Sequence, residues 1–303
     1  KRREFFMSRL LDILGCKYPI IQGPIGATNS PKLVAEICEA GAFGMLAMGF
    51  IGNAEEARRL AEGVRELTDK PFGANLMTMN PANPEILEVL AESGVKTVTT
   101  SAGSPKRLYP LIHELGMKGL HVMLTLSYAI KAESAGVDGL VVSGAESGGL
   151  RSVNQESSNM ILVPLVVDHV KVPVVAAGGI ADSRGYKAAL ALGAEGVQVG
   201  TRFLASEESS APKEWKEAII NCSDGGTTLL PLGNMMMRVI VNPRLKEQMS
   251  NSETDLTTEY NLMNAPEAWG TGKFDLFPAG AGQISALIHE IKPVREIIEE
   301  MVS

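Results

Sequence analysis

The chain has 303 residues, 28 Lys and Arg against 35 Asp and Glu, and a formal net charge of −7. At 45 % apolar and 21 % charged it has the make-up of a folded globular protein, not a disordered one, and its acidic balance argues against nucleic-acid binding, which concentrates Lys and Arg on one face. No apolar run reaches the ~18 residues of a membrane span; the longest, Met160 to Val167, includes Pro164. Lys1-Arg2-Arg3 imitates the start of a signal peptide, but Glu4 follows and no long apolar core comes next; Met7 is a candidate native start. Cys16, Cys38 and Cys222 lie far apart with no CxxC pair, which argues against a disulfide framework or a metal site and for a reducing cytoplasm. The length permits one large barrel or two medium domains.

Up to about residue 205, short β-branched apolar runs alternate with stretches of helical period, roughly 25 residues per cycle. Strands are expected near residues 19–22, 44–47, 72–76, 97–100, 119–124, 139–142, 173–176 and 196–199. Ser30-Pro31 opens the first helix of the cycle, with Leu33, Val34, Ile37 and Cys38 on its apolar face and Gly41 just past its end. The same close recurs at Gly94, Gly116, Gly136 and Gly193, each shortly before a strand. Eight such units close a barrel, whereas an open doubly wound sheet usually has five or six strands. The runs are continuous rather than alternating, as when both faces of a sheet are buried. The expected fold is therefore α/β, a (β/α)₈ TIM barrel over residues 8–206 and 277–303. Residues 207–276 break the rhythm with Ser, Glu, Asn and Met and show no strong strand; they read as a small, mostly helical insertion after the eighth strand, placed as a lid. Residues 283–302 regain helical period and are expected to form the last helix.

Ligands of such barrels bind at the C-terminal ends of the strands, with phosphate often held after the seventh and eighth. Here the seventh runs into Ala177-Gly178-Gly179-Ile180-Ala181-Asp182 and the eighth into Gly200-Thr201-Arg202-Phe203. Glycines let bare N–H groups approach phosphate oxygens, while Asp182 reads as a helix N-cap. Gln22, at the end of the first strand, and Asn75, at the end of the third, carry amides able to donate and accept at the edge of a flat heterocycle, although each equally suits tying down a loop. Together the set suggests a ligand with a phosphate at one end and a ring at the other.

Pro19-Ile20-Ile21-Gln22-Gly23-Pro24, Pro71-Phe72-Gly73-Ala74-Asn75, Glu146-Ser147-Gly148-Gly149, Ala177-Gly178-Gly179-Ile180-Ala181, Val197-Gln198-Val199-Gly200-Thr201-Arg202-Phe203 and Ala281-Gly282-Gln283 carry a resemblance over most of the chain. It is to the FMN-dependent barrels of the nitronate monooxygenases (2-nitropropane dioxygenases) and the enoyl-acyl-carrier-protein reductase II flavoenzymes. The resemblance implies FMN, with phosphate on Gly178, Gly179, Gly200 and Thr201 and the isoalloxazine ring near Gln22, Gly23 and Asn75; it also assigns Glu146, Gly148 and Gln198 to the cofactor side. One departure stands out. The family usually reads E-[AS]-G-G-H, with the histidine tied to catalysis in both branches; here that position is Leu150, and Ser152 replaces a glycine. His113 and His169 fall in expected helices and His289 in the terminal one, and His121 reads as a satisfied core residue.

The expected activity is that of an FMN-dependent oxidoreductase using NADH or NADPH to reduce an enoyl thioester or similar activated alkene. Nitronate oxidation is the alternative, penalised by Leu150, and a flavin-dependent double-bond isomerase without net redox is another; a barrel binding a phosphorylated metabolite without flavin is the reading from a different class. No catalytic residue is fixed; Tyr128, Glu146 and Ser147 are the candidate proton donors. Met235, Met236 and Met237, with Leu150, are candidates to line a substrate pocket, since methionine adapts to varied apolar shapes. Arg202 and Arg238 are candidates for a phosphate or thioester carrier, with surface roles as the default. The expected partners are a small-molecule substrate, an acyl-CoA or acyl carrier protein thioester among the candidates, and a second copy in a homodimer; no nucleic acid, membrane span or metal is expected.

Overall fold

A computed structural model describes residues 9–26, 29–154 and 156–303; Lys1 to Arg3 and the candidate start Met7 lie outside the described residues. Strands β1 (Ile20–Gln22), β2 (Met45–Ala47), β3 (Gly73–Met77), β4 (Thr97–Ser101), β5 (Lys118–Met123) and β6 (Gly139–Ser143) are followed by β7 (Gly149–Ser152), which leaves the barrel, and then by β8 (Val174–Ala177) and β9 (Gly196–Val199). The eight barrel strands pair in the order β1-β9-β8-β6-β5-β4-β3-β2. Ile21 bridges Phe43, with Gln22 N–H donating to Phe43 O at 2.9 Å, and this closes the sheet into a (β/α)₈ barrel.

The continuous apolar runs have a direct physical reading. Ile20, Leu46, Ala74, Val98, Val142, Ala176 and Val197 point outward and pack against the helices. Ile21, Phe43, Met45, Leu120, Val141, Val175 and Ala177 fill the interior. Both faces being buried, alternation disappears from the sequence. The covering helices are α2 (Pro31–Glu39), α3 (Ala54–Arg65), α4 (Asn83–Glu92), α5 (Tyr109–Glu114), α6 (Leu126–Ser134), α7 (Asn159–Val167) and α8 (Ser183–Ala191), preceded by α1 (Arg9–Leu14), whose Leu10 and Leu14 plug the N-terminal end of the barrel. Gly41, Gly94, Gly116, Gly136 and Gly193 all take positive φ between 71° and 100° where the helices close.

After β9, α9 (Thr201–Leu204) leads to α10 (Lys213–Ile220) and to a hairpin of β10 (Thr227–Leu232) and β11 (Met235–Ile240), followed by α11 (Pro243–Ser250), α12 (Leu256–Glu259) and α13 (Ala265–Thr271). Helix dominates this segment, but the hairpin corrects the expectation that it holds no strand. Pro231 lies within β10, which is tolerable because β10 is an edge strand in the three-stranded order β10-β11-β7. The terminal helix is also shorter than its periodicity suggests. A 3₁₀ segment, Gln283–Leu287, precedes α14 (Val294–Val302), because Pro293 disfavours helix at Lys292 and starts a new one. His289 thus lies between the two, and His169 lies beyond the end of α7. Among the described residues no helix is long and apolar enough to cross a membrane.

Candidate active site

The barrel interior turns from apolar to polar toward the C-terminal ends of the strands. Asn75 is buried there, its Nδ2 donating to Thr99 Oγ1 at 2.9 Å. Ser143 ends β6, and Gln198 Oε1 is buried without a hydrogen-bond partner among the described residues. Gln22 spends its amide oxygen on Met45 N–H at 3.0 Å, extending the closure between β1 and β2, so the loop-tying role applies to that atom.

The glycine turns converge on this mouth. Gly23 N–H donates to Val199 O at 2.7 Å, and a Cβ on Gly23 would lie 3.1 Å from Gly200 Cα. Gly178 and Gly179 have φ of +95° and +72°. A Cβ on Gly178 would sit 2.0 Å from Ser147 Oγ, so only glycine lets the loop after β6 rest on the turn after β8. A Cβ on Gly200 would meet nothing within 4 Å. No turn or loop hydrogen bond among the described residues uses the N–H of Gly178, Gly179 or Gly200.

Further contacts set this cradle, made by Asn159, which the sequence did not single out, and by Gly282 and Gln283, which entered only through the resemblance. Asn159, the first residue of α7, donates from Nδ2 to Ala177 O at 2.8 Å and Gly178 O at 2.7 Å. Its backbone N–H donates to the Glu146 carboxylate at 2.9 Å, so Glu146 caps α7. From the far end of the chain, Gly282 N–H donates to Thr201 Oγ1 at 3.0 Å and Gln283 N–H to Glu146 O at 3.0 Å; a Cβ on Gly148 would lie 2.8 Å from Gly282 N. Only Asn159 had a local signal, a polar residue opening an apolar run. Asp182 caps α8 as expected, accepting from Arg184 N–H at 2.9 Å, and the Arg184 guanidinium beside it holds its carboxyl below the usual range.

The loop after β6 continues into β7, whose side chains alternate between two faces. Leu150 is opposite Met237, itself opposite Leu230, and packs with them on the apolar cluster of Leu245, Tyr260, Ala265, Ala268 and Phe277. Met235 and Met236 are half-buried and Met237 is buried. On the other face Arg151 is buried, pairs with Glu156 and donates to Ser143 Oγ at 2.7 Å and Gly144 O at 2.8 Å. The surface default for Arg202 and Arg238 is overturned, since only 6 % and 7 % of each is exposed. Arg202 donates to Glu290 O and Ala205 O, Arg238 to Ala145 O, and burial lowers the pKa of both guanidinium groups. Arg238 thereby ties the hairpin to the loop after β6.

Of the three candidate proton donors, Glu146 and Ser147 share the loop after β6, against the Gly178-Gly179 turn, and Tyr128 lies apart on α6. Ser147 donates its hydroxyl hydrogen to Ala177 O and accepts from Ser143. Glu146 is the cap just described. Tyr128 is 55 % exposed in the first turn of α6, its ring facing Lys131. His121 is buried against Thr100 Oγ1 at 2.8 Å, and burial pushes its pKa down to about 4, the behaviour of a core histidine. Burial pushes the Cys16 and Cys38 thiols up to about 12, leaving them protonated and inert.

A closed (β/α)₈ barrel with a glycine cradle at the ends of β8 and β9 defines a class of ligand-binding barrel enzymes. The sequence profile of the nitronate monooxygenases matches residues 7–92 and 82–303, so the chain belongs to the nitronate monooxygenase family and is an oxidoreductase. A probable nitronate monooxygenase of Staphylococcus saprophyticus is 31 % identical over 266 residues, covering 73 % of this chain and 75 % of that one. FabK from Thermotoga maritima superposes with a TM-score of 0.89 at 34 % identity, over 98 % of this chain and 95 % of that one. A nitroalkane oxidase from Streptomyces ansochromogenes superposes with a TM-score of 0.82 at 27 % identity, over 97 % and 96 %. Family membership implies FMN, and the residues present fit it: Gln198 presents an orphaned acceptor inside the mouth, and the glycine cradle has open N–H groups and open space at Gly200.

Proposed function

We propose that the protein is an FMN-dependent oxidoreductase that uses NADH or NADPH to reduce an enoyl thioester or a similarly activated alkene. The observation that carries the reading is the apolar surface around Leu150, which suits an acyl substrate; the missing imidazole by itself counts against both branches. At the family's histidine position stands an apolar side chain packed with Met237, and the half-buried Met235 and Met236 extend the same strand, so the chain offers apolar surface and no imidazole. The similarity to FabK, at 34 % identity, supports the same branch.

In this reading Gly178, Gly179, Gly200 and Thr201 hold the phosphate of FMN through backbone N–H groups. Gln22, Gly23, Asn75 and Gln198 border its ring, Gly148 lets the 281–283 segment close over it, and Glu146 holds the start of α7 in place. When bound, FMN relays two electrons from the nicotinamide to the acceptor. The balance is alkene plus NAD(P)H plus a proton giving the saturated product plus NAD(P)⁺. Solvent supplies the proton, because the Ser147 hydroxyl hydrogen is committed to Ala177 O and the Glu146 carboxylate accepts from Asn159. Residues 207–276 act as the lid, with the half-buried Leu150, Met235 and Met236 bordering the substrate pocket and Met237, packed in the interior of that segment, supporting them from behind. The thioester carrier, a CoA or an acyl carrier protein, a homodimeric assembly and a cytoplasmic setting belong to the same reading.

The test is NAD(P)H consumption with a panel of enoyl-CoA substrates; turnover supports the reading, and none on any member defeats it. Nitronate oxidation is favoured by the family profile and the curated relatives. Oxygen uptake with propionate 3-nitronate, without NAD(P)H, distinguishes it.

A further inference from the structure

The rim of the mouth over β2 and β3 carries a groove of about 360 Å³ lined by Gly49, Phe50, Ile51, Gly52, Met77 and Met79, with Asn80 and Pro81 at its edge. Phe50 is 66 % exposed and Met79 68 % exposed. Isolated exposed apolar residues are ordinary, but two facing one groove mark a binding surface.

These residues are held rather than loose. Asn80 Nδ2 donates to Ile51 O at 2.8 Å and to Met48 O at 3.3 Å, lacing the loop after β3 to the loop after β2. Asn29 brackets Ala47 with hydrogen bonds of 2.8 and 3.0 Å. A Cβ on Gly49 would lie 2.7 Å from Met77 Cγ, so glycine at that position is what lets Met77 form the floor. A Cβ on Gly26 would lie 3.2 Å from the Phe50 ring, which brings the loop after β1 against the groove. The groove neighbours the candidate site through β3: Met77 follows Asn75 by two residues, on the same face of the strand, and Met48 N–H donates to Asn75 O at 2.7 Å.

We propose that this groove takes the unbranched aliphatic tail of the substrate, an acyl tail if the substrate is a thioester, as it leaves the mouth. The head chemistry rests on the function proposed above; the tail site does not. An open apolar groove with no charged residue among its described lining discriminates by length, because each buried methylene contributes up to about fourfold in affinity.

The experiment measures equilibrium binding of butyryl-, hexanoyl- and octanoyl-CoA to the purified protein by calorimetry, with a parallel series of n-alkyl nitronates. Saturated acyl-CoAs are not reduced, so binding is read apart from turnover. The native protein gains two- to fourfold per methylene. The double variant Phe50→Ser, Met79→Ser loses most of that slope while binding butyryl-CoA as before. Gly52→Leu, which adds a side chain where nothing lies within 4 Å, weakens octanoyl-CoA about tenfold by filling the groove. A slope retained in both variants, or absent from the native protein in both series, overturns the proposal. A slope in the nitronates alone, flattened by the variants, upholds the groove and counts against the enoyl thioester head.

Discussion

Leu150 and His121 show how one side chain can set chemistry and another stability. Leu150 stands where the resemblance places an imidazole, opposite Met237 of β11. If nitronate oxidation depends on that group, native oxygen uptake with a nitronate is slow and Leu150→His raises it by about a hundredfold or more, in the 10²–10⁴ range typical of a general base; rapid native uptake would contradict this. His121 is neutral in the fold, with its pKa lowered by burial from 6.5 to about 4. Between those values the unfolded chain binds a proton that the native state does not. The stability present above pH 6.5 is therefore lost as pH falls toward 4, by about 3 kcal/mol at most. Thermal melts across this window should show His121→Gln with a shallower decline than the native protein. The core role of His121 was legible because it interrupts an apolar strand; the burial of Arg202 and Arg238 was not, because their partners are carbonyls distant in sequence, or hidden in a turn.

At the scale of elements, β7 matters most. It belongs to the segment between β6 and α7, yet it pairs with β11 and joins the three-stranded sheet of the hairpin. Arg151 locks it from the other face through Glu156, with both side chains nearly excluded from solvent (1 % and 7 % exposed). Removing one partner of a buried pair leaves an uncompensated charge, worth about 3–5 kcal/mol. Glu156→Gln should therefore lower the melting temperature clearly, and adding Arg151→Met should recover part of the loss; an unchanged melt for Glu156→Gln would show the pair to be idle. The barrel strands were legible because burial on both faces writes an unbroken apolar run. The hairpin β10–β11 was not, since Pro231 and the methionines obscure strand character and β7, its third strand, is more than 70 residues earlier in the chain.

In the whole molecule, the cradle is assembled from segments remote in sequence: the turns after β8 and β9, the 144–148 loop after β6 and the 281–283 return. The glycines of the first two were legible as N–H donors without side chains. Asn159 was not, and Gly282 and Gln283 stood out only through the resemblance, because each contact is defined by a partner that only folding brings near. Whether this cradle holds FMN, as proposed, is read from the absorbance spectrum of the purified native protein beside Gly178→Ala, with the released chromophore identified by mass. The native protein should show flavin bands and about one FMN per chain, bleached anaerobically by NADH or NADPH, and the variant should keep its circular dichroism but lose most of the FMN. A colourless native protein, or a variant that retains its full complement, would contradict the proposal.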